Sequence, residues 1–235
     1  MPELTDILNS IILLLNFVFV PGLAYGSQLA LGALAVTLVY AILRFANFAQ
    51  GDTMAFSTVI TILITWLLQK WGITLGSVPT ALLALPLAII VTLIYILLTD
   101  KFVYAYYRKQ NSKPITVVMA SVGVMFVTGG LVRFVLGPEH HVFADGARFI
   151  ITAREFKTMA GLSEGLAIKT SQFLTITIAI LLVGFVFYFL QKTKTGKAMR
   201  AYADNQDLAL LSGIDPDKIV RVTWALAAIL STIAG

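Results

Sequence analysis

The sequence contains a polar stretch, RFANFAQGD at 44–52, between two long apolar runs. Its amide side chains supply hydrogen-bond donors and acceptors, its glycine lets the backbone turn, and its phenylalanines provide apolar walls. Such a segment can line a cavity where protein or water covers the backbone. The composition is also typical of a plain interfacial loop, and both interpretations stay open. The candidate cavity residues are Asn47, Phe48, Gln50, Gly51 and Asp52.

A second polar segment, TGKAMRAYADNQDLALLSGI at 195–214, also separates two apolar runs. Its composition predicts one short helix over 196–211, with alanines small enough for close docking and charged residues that stay hydrated. Gly213 is placed to end this helix in the left-handed conformation, and Asp215 before Pro216 predicts the N-cap of a new helix. This pattern suits a surface held by a soluble partner, and it is also compatible with a solvated connector.

Residues suited to catalysis or metal binding are scarce. The two histidines, His140 and His141, are adjacent, so their side chains point apart on a helix or strand, and the sequence has no cysteine to support them. The apolar runs contain no spaced carboxylate pair, no phosphate-binding glycine loop and no HExxH motif. We therefore predict no catalytic residue and no metal site. An intramembrane enzyme is disfavoured because it needs buried ionisable groups.

Transmembrane helices are the elements that must position these segments. Hydrophobic residues make up 58% of the chain and charged residues 12%, and the mean hydropathy is +0.88, far from soluble usage. Because about 20 apolar residues cross a bilayer as a helix, the sequence predicts an all-α, polytopic transmembrane helix bundle in one domain. The first apolar run is too long for one span, so we expect a break near Gly22 and Gly26. The predicted spans are 5–24, 27–44, 54–71, 78–99, 117–136, 173–190 and 219–235.

The distribution of basic residues indicates which loops face the cytoplasm. The net charge is +5, and the segments 100–113 and 191–200 each hold four Lys or Arg with at most one acid. Cytoplasmic loops carry such an excess, so it records orientation rather than nucleic-acid binding. The two spans between these segments then make 137–171 an extracytoplasmic insert and 191–218 a cytoplasmic loop. Because the chain stops inside its last apolar run, we expect the transmembrane domain to continue beyond it.

Three blocks of sequence, at 26–52, at 195–214 and LSTIAG at 230–235, together resemble one protein family. They are similar to the permease subunits of bacterial ABC importers for branched-chain amino acids (leucine, isoleucine and valine), and of close relatives that import urea or short amides. The resemblance runs from about Gly22 to the end of the chain. It implies a type II ABC importer permease-like fold in the bacterial cytoplasmic (inner) membrane. The ATPase-coupling contacts that it implies are Arg200, Ala203, Asp204, Ala209, Gly213 and Ile214.

The resemblance also implies partners and a substrate pathway. In such importers two cytoplasmic ABC ATPase subunits use ATP and Mg²⁺, a second homologous permease subunit completes the pore, and an extracytoplasmic binding protein delivers substrate. This chain has no phosphate-binding loop and is expected to bind no cofactor itself. The pathway would pass the segment 44–52, where Gln50 stands in the position of a histidine in the family signature. Glutamine keeps the polarity of that position but removes a titratable group.

Several alternatives stay open at this stage. The cargo could be a branched-chain amino acid, another amino acid, urea or a short amide. An ion-coupled secondary carrier would need an ionisable group within the membrane, and Asp52 is the one candidate. A membrane-embedded enzyme or assembly scaffold is a third class. The sequence does not choose between a pore of two identical copies and a pore shared with a homologous partner.

Overall fold

The computed structural model describes residues 2–73, 80–137, 149–160 and 164–235. Long helices and one pair of short strands make up the described part, which confirms the all-α class. The chain forms two compact units. One comprises Met1–Leu29 and Phe143–Leu181, and the other comprises Ala30–Val142 and Leu182–Gly235.

The N-terminal helix is continuous, so the predicted break near the two glycines is wrong. Helix α1 (Pro2–Leu14) leads through a π-helical turn (Leu15–Phe19) into α2 (Val20–Leu43). A break in a helix within lipid leaves backbone hydrogen-bonding groups unpaired, and each such group costs several kcal/mol. This exceeds the roughly 1 kcal/mol by which a glycine destabilises a helix. A methyl group added at Gly22 or Gly26 would meet no atom within 4 Å. Neither glycine is therefore a tight packing point among the described residues.

Five helices in the described ranges are long and apolar enough to cross a membrane. The first joins two of the predicted spans, and the others follow the predictions at 54–71, 78–99, 117–136 and 173–190. They are Asp6–Leu43, Gln50–Lys70 (α3), Ala81–Lys109, Pro114–Leu136 (α6) and Thr170–Lys192 (α8).

The third of these helices extends further than the sequence predicted. Helix α4 (Ala81–Thr99) continues through a π-helical turn (Asp100–Tyr104) into α5 (Ala105–Lys109). Most of the segment 100–113, predicted as a loop, is therefore helical. Its end is marked by Asn111 at φ 49°, a conformation that asparagine tolerates better than most residues.

The span predicted at 219–235 corresponds to α11 (Pro216–Ala234), which is not among the five apolar helices. Asp217, Lys218 and Arg221 in its first turns shorten its apolar length. Instead of facing lipid along its length, α11 packs against α3 and α4 in the larger unit. Its buried side chains are mostly small, which allows close helix packing. They include Thr223, Trp224, Ala227, Ala228, Ser231 and Thr232.

Two buried hydroxyl groups of α11 donate to carbonyl groups of their own helix. Thr223 Oγ1 donates to the Ile219 carbonyl at 2.9 Å, and Thr232 Oγ1 donates to the Ala228 carbonyl at 2.8 Å. This bonding lets short polar side chains occupy an interior that excludes water.

The other unit contains the described part of the segment 137–171, which was predicted to be an extracytoplasmic insert. Strand β1 (Phe149–Ile151) pairs antiparallel with β2 (Ile168–Lys169), and α7 (Ala153–Ala160) lies between them in the sequence. His140 and His141 lie outside the described residues.

Two asparagines of the first helix hold the insert in place within this unit. Asn16 Nδ2 donates to the Gly165 carbonyl at 2.6 Å, and Asn16 Oδ1 accepts from the Ala167 amide at 2.8 Å. Asn9 Oδ1 accepts from the Glu164 amide at 3.2 Å. The insert therefore satisfies polar side chains that would otherwise interrupt an apolar helix.

Candidate translocation and coupling site

The segment predicted as a polar loop at 44–52 is divided between a loop and a helix. Arg44 begins the loop in the left-handed region at φ 58°. Asn47 shapes it by accepting the Ala49 amide at 3.2 Å through Oδ1, a turn that asparagine favours. Helix α3 then begins at Gln50, so Gly51 and Asp52 belong to its first turn.

A chain of buried hydrogen bonds connects this loop to two other helices. Tyr104 Oη donates to Asn47 Oδ1 at 3.0 Å, and Asn47 Nδ2 donates to Gln50 Oε1 at 3.3 Å. Gln50 Nε2 in turn donates to Ser231 Oγ of α11 at 2.6 Å. Because these side chains are buried, breaking one bond leaves polar groups unsatisfied in the interior.

An aromatic stack lies beside this network. The Tyr104 ring has its centroid 5.1 Å from that of Phe45 and 5.6 Å from that of Trp224, to which it is nearly parallel at 14°. Trp224 is 1% exposed, and its Nε1 has no hydrogen-bond partner among the residues that the structure describes.

A small cavity borders both the aromatic stack and the amide side chains. Asn47, Gln50, Tyr104 and Trp224 line it. The cavity volume is about 10 Å³, which is enough for roughly one water molecule. No charged residue lines this cavity, so it suits an uncharged or zwitterionic group.

Of the five predicted cavity residues, Asn47 and Gln50 line the cavity and the other three lie elsewhere. The Phe48 side chain is exposed, although its amide donates to Ser121 Oγ at 3.2 Å. A Cβ atom added at Gly51 would meet no other atom within 4 Å. The Asp52 carboxylate lies against Gly129 of α6, where an added Cβ would be 3.2 Å from Oδ1. Three neighbouring residues of the network, Tyr104, Trp224 and Ser231, were not predicted.

The segment 195–214 contains two short helices where the sequence predicted one. Helix α9 (Lys194–Asp204) and α10 (Gln206–Leu211) are separated at Asn205, whose backbone is extended at φ −148° and ψ 108°. Asn205 Oδ1 caps α10 by accepting from the Leu208 amide at 3.1 Å. Asparagine is among the strongest N-cap residues, which is why the chain breaks there.

The predicted signals that end this segment are confirmed. Gly213 is left-handed at φ 78°, its amide donates to the Leu210 carbonyl at 3.0 Å, and the Ile214 amide donates to the Ala209 carbonyl at 3.1 Å. This is a Schellman motif. Asp215 Oδ1 caps α11 by accepting from the Asp217 amide at 2.9 Å, with Pro216 in the first turn.

The six predicted coupling residues differ in exposure. Arg200, Asp204 and Gly213 are exposed, and Ala203 and Ile214 are half-buried. Ala209 is 3% exposed, so its small side chain packs inside the chain and offers no docking surface. Sequence analysis also missed three leucines of α10, Leu208, Leu210 and Leu211, whose side chains are exposed.

The two polar segments, far apart in sequence, meet in the structure. The Arg44 guanidinium donates through Nη2 to the Ala203 carbonyl of α9. Gln206 Nε2 of α10 donates to the Ile42 carbonyl at 3.2 Å. The start of the loop 44–49, which borders the cavity, and the end of α2 are therefore bonded directly to α9 and α10.

Comparison with known proteins identifies the family. The branched-chain amino acid transport system / permease component family matches residues 18–235. This chain belongs to that family. The match includes the loop, the cavity residues and both cytoplasmic helices. With its five apolar helices, the permease is a multi-pass protein of the inner membrane.

Several related proteins are similar to this chain along most of its length. The high-affinity branched-chain amino acid transport system permease protein LivH of Escherichia coli (strain K12) is 25% identical over 218 residues, 91% of this chain and 67% of LivH. The corresponding protein BraD of Pseudomonas aeruginosa is 26% identical over 226 residues, 92% of this chain and 67% of BraD. A probable LivH of Methanocaldococcus jannaschii is 27% identical over 211 residues, 90% of this chain and 62% of that protein. No solved structure matches the permease.

An ion pair lies near the C-terminal end of the third apolar helix of the permease. Arg108 binds Asp100 through both guanidinium nitrogens, at 2.6 and 3.0 Å. Asp100 is buried, so this paired geometry compensates for taking its charge out of water. Nearby on α9, burial raises the pKa of the Tyr202 hydroxyl, Arg108 lowers it and Asp217 raises it. Tyr202 therefore stays protonated at neutral pH.

The described residues of the permease contain no group of three or more side chains suited to holding a metal ion. The buried side chains of Tyr104, Asn47, Gln50 and Ser231 form a neutral hydrogen-bond network beside the cavity.

Proposed function

We propose that this chain is the transmembrane permease subunit of an ATP-driven ABC importer that translocates branched-chain amino acids. The observation that carries the proposal is the bonding of Arg44 to Ala203 and of Gln206 to Ile42. It joins a cytoplasmic surface to a loop that borders a neutral cavity within the helix bundle. The related permeases LivH and BraD are described as branched-chain amino acid permeases, which supports the choice of cargo.

The docking surface that we propose for a cytoplasmic ATPase subunit is formed by α9 and α10. Leu208 and Leu211 are 61% and 87% exposed. If a partner covered them, each Å² of apolar surface removed from water would stabilise the complex by about 25 cal/mol. Arg200 and Asp204 are exposed beside them and would add charged contacts that set orientation. The exposed leucines favour a docked surface over a plain solvated connector, which does not need them.

In this proposal the energy source lies on other subunits. Two ATPase subunits bind ATP and Mg²⁺, and this chain binds neither and catalyses no reaction. A second homologous permease subunit completes the pore, and an extracytoplasmic binding protein delivers the cargo to the outer side. The ATPases act by favouring one access state and then the other, because a ligand shifts an equilibrium only by its differential affinity for two states.

The loop 44–49 is the part that we propose to move. When the ATPases shift α9 and α10, Gln206 and Arg44 transmit the displacement to the end of α2 and to the first residue of the loop 44–49. The hydrogen bonds from Tyr104 and Gln50 then change partners, which alters access to the cavity. An ion-coupled carrier is less well supported, because Asp52 lies against Gly129 and does not line the cavity.

Reconstitution tests this function directly. The complete complex, in proteoliposomes with its binding protein outside and ATP inside, should accumulate leucine, and excess isoleucine or valine should compete. Competition by urea or acetamide, without competition by isoleucine, would assign the permease to amides instead. Uptake that needs an ion gradient but no ATP would overturn the proposal.

Site-directed labelling tests the orientation. The chain contains no cysteine, so Asp204→Cys introduces a single thiol at an exposed position of α9. A membrane-impermeant maleimide should label it in inside-out vesicles and not in intact cells. Arg154→Cys in the insert is the matched control and should show the opposite pattern. Labelling of Asp204→Cys from outside would exclude ATPase docking at this surface.

A further inference from the structure

We propose that the Trp224 indole is a hydrogen-bond donor to the carboxylate of the transported amino acid, in the cavity that it shares with Asn47, Gln50 and Tyr104. This inference rests on the proposed function and assigns a binding role to residues within the same site. It follows from one unpaired donor, the neutral lining of the cavity and the connection of the cavity to the cytoplasmic helices.

The unpaired donor is the first argument. Trp224 is 1% exposed, and its Nε1–H finds no acceptor among the described residues. An indole N–H can only donate, and a buried donor without a partner is unfavourable. Trp224 is one of the residues that line the cavity, and an acceptor atom that entered beside its nitrogen would remove this penalty.

The groups around the indole select the kind of ligand. Gln50 and Asn47 each donate one amide hydrogen, to Ser231 and Gln50 respectively, and a primary amide carries a second hydrogen. Together with Trp224 they offer several neutral donors, the pattern that stabilises a carboxylate without a competing cation.

The cavity also offers hydrogen-bond acceptors for the ammonium group of an amino acid. Thr53 Oγ1 donates to the Ala49 carbonyl at 2.7 Å, and Thr99 Oγ1 donates to the Tyr95 carbonyl at 2.9 Å. Because their hydrogens are used, these hydroxyl oxygens present lone pairs, and both residues line the cavity. Ile96 and Val124 add apolar wall for the cargo side chain. A zwitterion with an apolar side chain satisfies all three features.

The size of the cavity makes binding depend on the conformational state. At about 10 Å³ it holds roughly one water molecule, so the cargo enters only after the site widens. The loop 44–49 forms one wall and is bonded to α9 and α10 through Arg44 and Gln206. Movement of the cytoplasmic helices therefore creates and removes this site during the transport cycle.

The experiment uses the complete complex, with this chain labelled by 5-fluorotryptophan and its partners unlabelled. The chain has three tryptophans, so three ¹⁹F signals are expected, each assigned by a Trp→Phe variant. Millimolar leucine should shift the Trp224 signal, whereas leucinamide, which lacks the carboxylate, should not. Trp71, which is 66% exposed, is the internal control and should not respond to either compound.

Transport by the variants completes the test. Trp224→Phe keeps a ring but loses the N–H donor, and it should reduce ATP-driven leucine uptake about tenfold. Trp71→Phe should transport like the wild type. Normal uptake by Trp224→Phe, or a Trp224 signal that responds to neither compound, as expected for a site that holds only water, would overturn this inference alone. If the wild-type complex transports no apolar amino acid, the proposed function falls and the inference falls with it.

Discussion

Gln206 of α10 donates a hydrogen bond to the main-chain carbonyl of Ile42 at 3.2 Å, across 164 residues of sequence. Ile42 lies in the last turn of α2, where carbonyl groups have no partner within the helix. A side chain of the cytoplasmic segment thus completes the end of a membrane helix. Two residues later, Arg44 returns a bond to Ala203 of α9. The two bonds together make a reciprocal clamp.

The first prediction concerns this clamp. Arg44→Gln removes the bond to Ala203, so we expect leucine uptake to fall about tenfold, the loss expected for one charge-assisted hydrogen bond, while ATP hydrolysis continues. The measurement is the ratio of leucine uptake to ATP hydrolysis, both determined on the same proteoliposomes. Arg221→Gln is the control, because that exposed arginine donates only to Asp217 of its own helix. Equal losses of uptake and hydrolysis in Arg44→Gln would contradict a role in coupling.

The second prediction concerns the exposed leucines of α10. Leu211→Asp replaces a side chain that is 87% exposed with a charge that cannot be buried cheaply in an interface. We expect the ATPase subunits to be lost from the purified complex, while the chain itself folds normally. Leu211→Met keeps the apolar surface and should retain them. Co-purification that is unchanged in Leu211→Asp would rule out docking through this leucine.

The third prediction concerns the corner between α8 and α9. A Cβ at Gly196 would lie 2.1 Å from the Phe189 carbonyl oxygen and 2.6 Å from the Leu190 Cα, both of which are backbone atoms that cannot turn away. Gly196→Ala should therefore destabilise the chain by about 1–3 kcal/mol and lower its Tm by several degrees. Gly184→Ala, in the same α8 and with nothing within 4 Å, should leave the Tm unchanged or raise it. The opposite order of the two melting temperatures would show that this corner is not tight.

The fourth prediction concerns the ion pair at the end of the third apolar helix. Asp100→Asn leaves Arg108 without its buried partner and should lower the free energy of unfolding by about 1–3 kcal/mol. The double variant with Arg108→Gln should recover part of this loss, because it leaves no unpaired charge. Asp6→Asn, the same change at an exposed position, is the control. A double variant less stable than Asp100→Asn would argue that Arg108 has another partner.

Local features could be predicted from the sequence because they depend on neighbouring residues. Gly213, Asp215 and Pro216 end one helix and start the next as predicted, since caps are decided within a few residues. The division of the cytoplasmic segment at Asn205 was missed because its alanine-rich composition outweighed a cap signal in the middle of the segment. The break near Gly22 and Gly26 was wrong because glycine promotes turns in water, whereas lipid enforces continuous backbone hydrogen bonding.

The roles of single residues were harder to predict. Ala209 and Ala203 have the same side chain, and only the packing of α10 buries one and leaves the other half-exposed. Trp224 was not predicted as a site residue, because an aromatic residue in an apolar helix ordinarily packs in a core or faces lipid. Its unpaired nitrogen became apparent only from its neighbours.

The sequence by itself determined that this protein lies in a lipid bilayer. It also determined the positions of most membrane helices and of the two polar segments between them. Composition and run length are sufficient for these, because crossing a bilayer imposes a length and a polarity on each helix. Only the tertiary structure decided which polar residues meet. Gln50 reaches Ser231 across 181 residues and Arg44 reaches Ala203 across 159. Such contacts depend on how each helix is rotated and packed against its neighbours, and no local pattern of residues specifies that rotation.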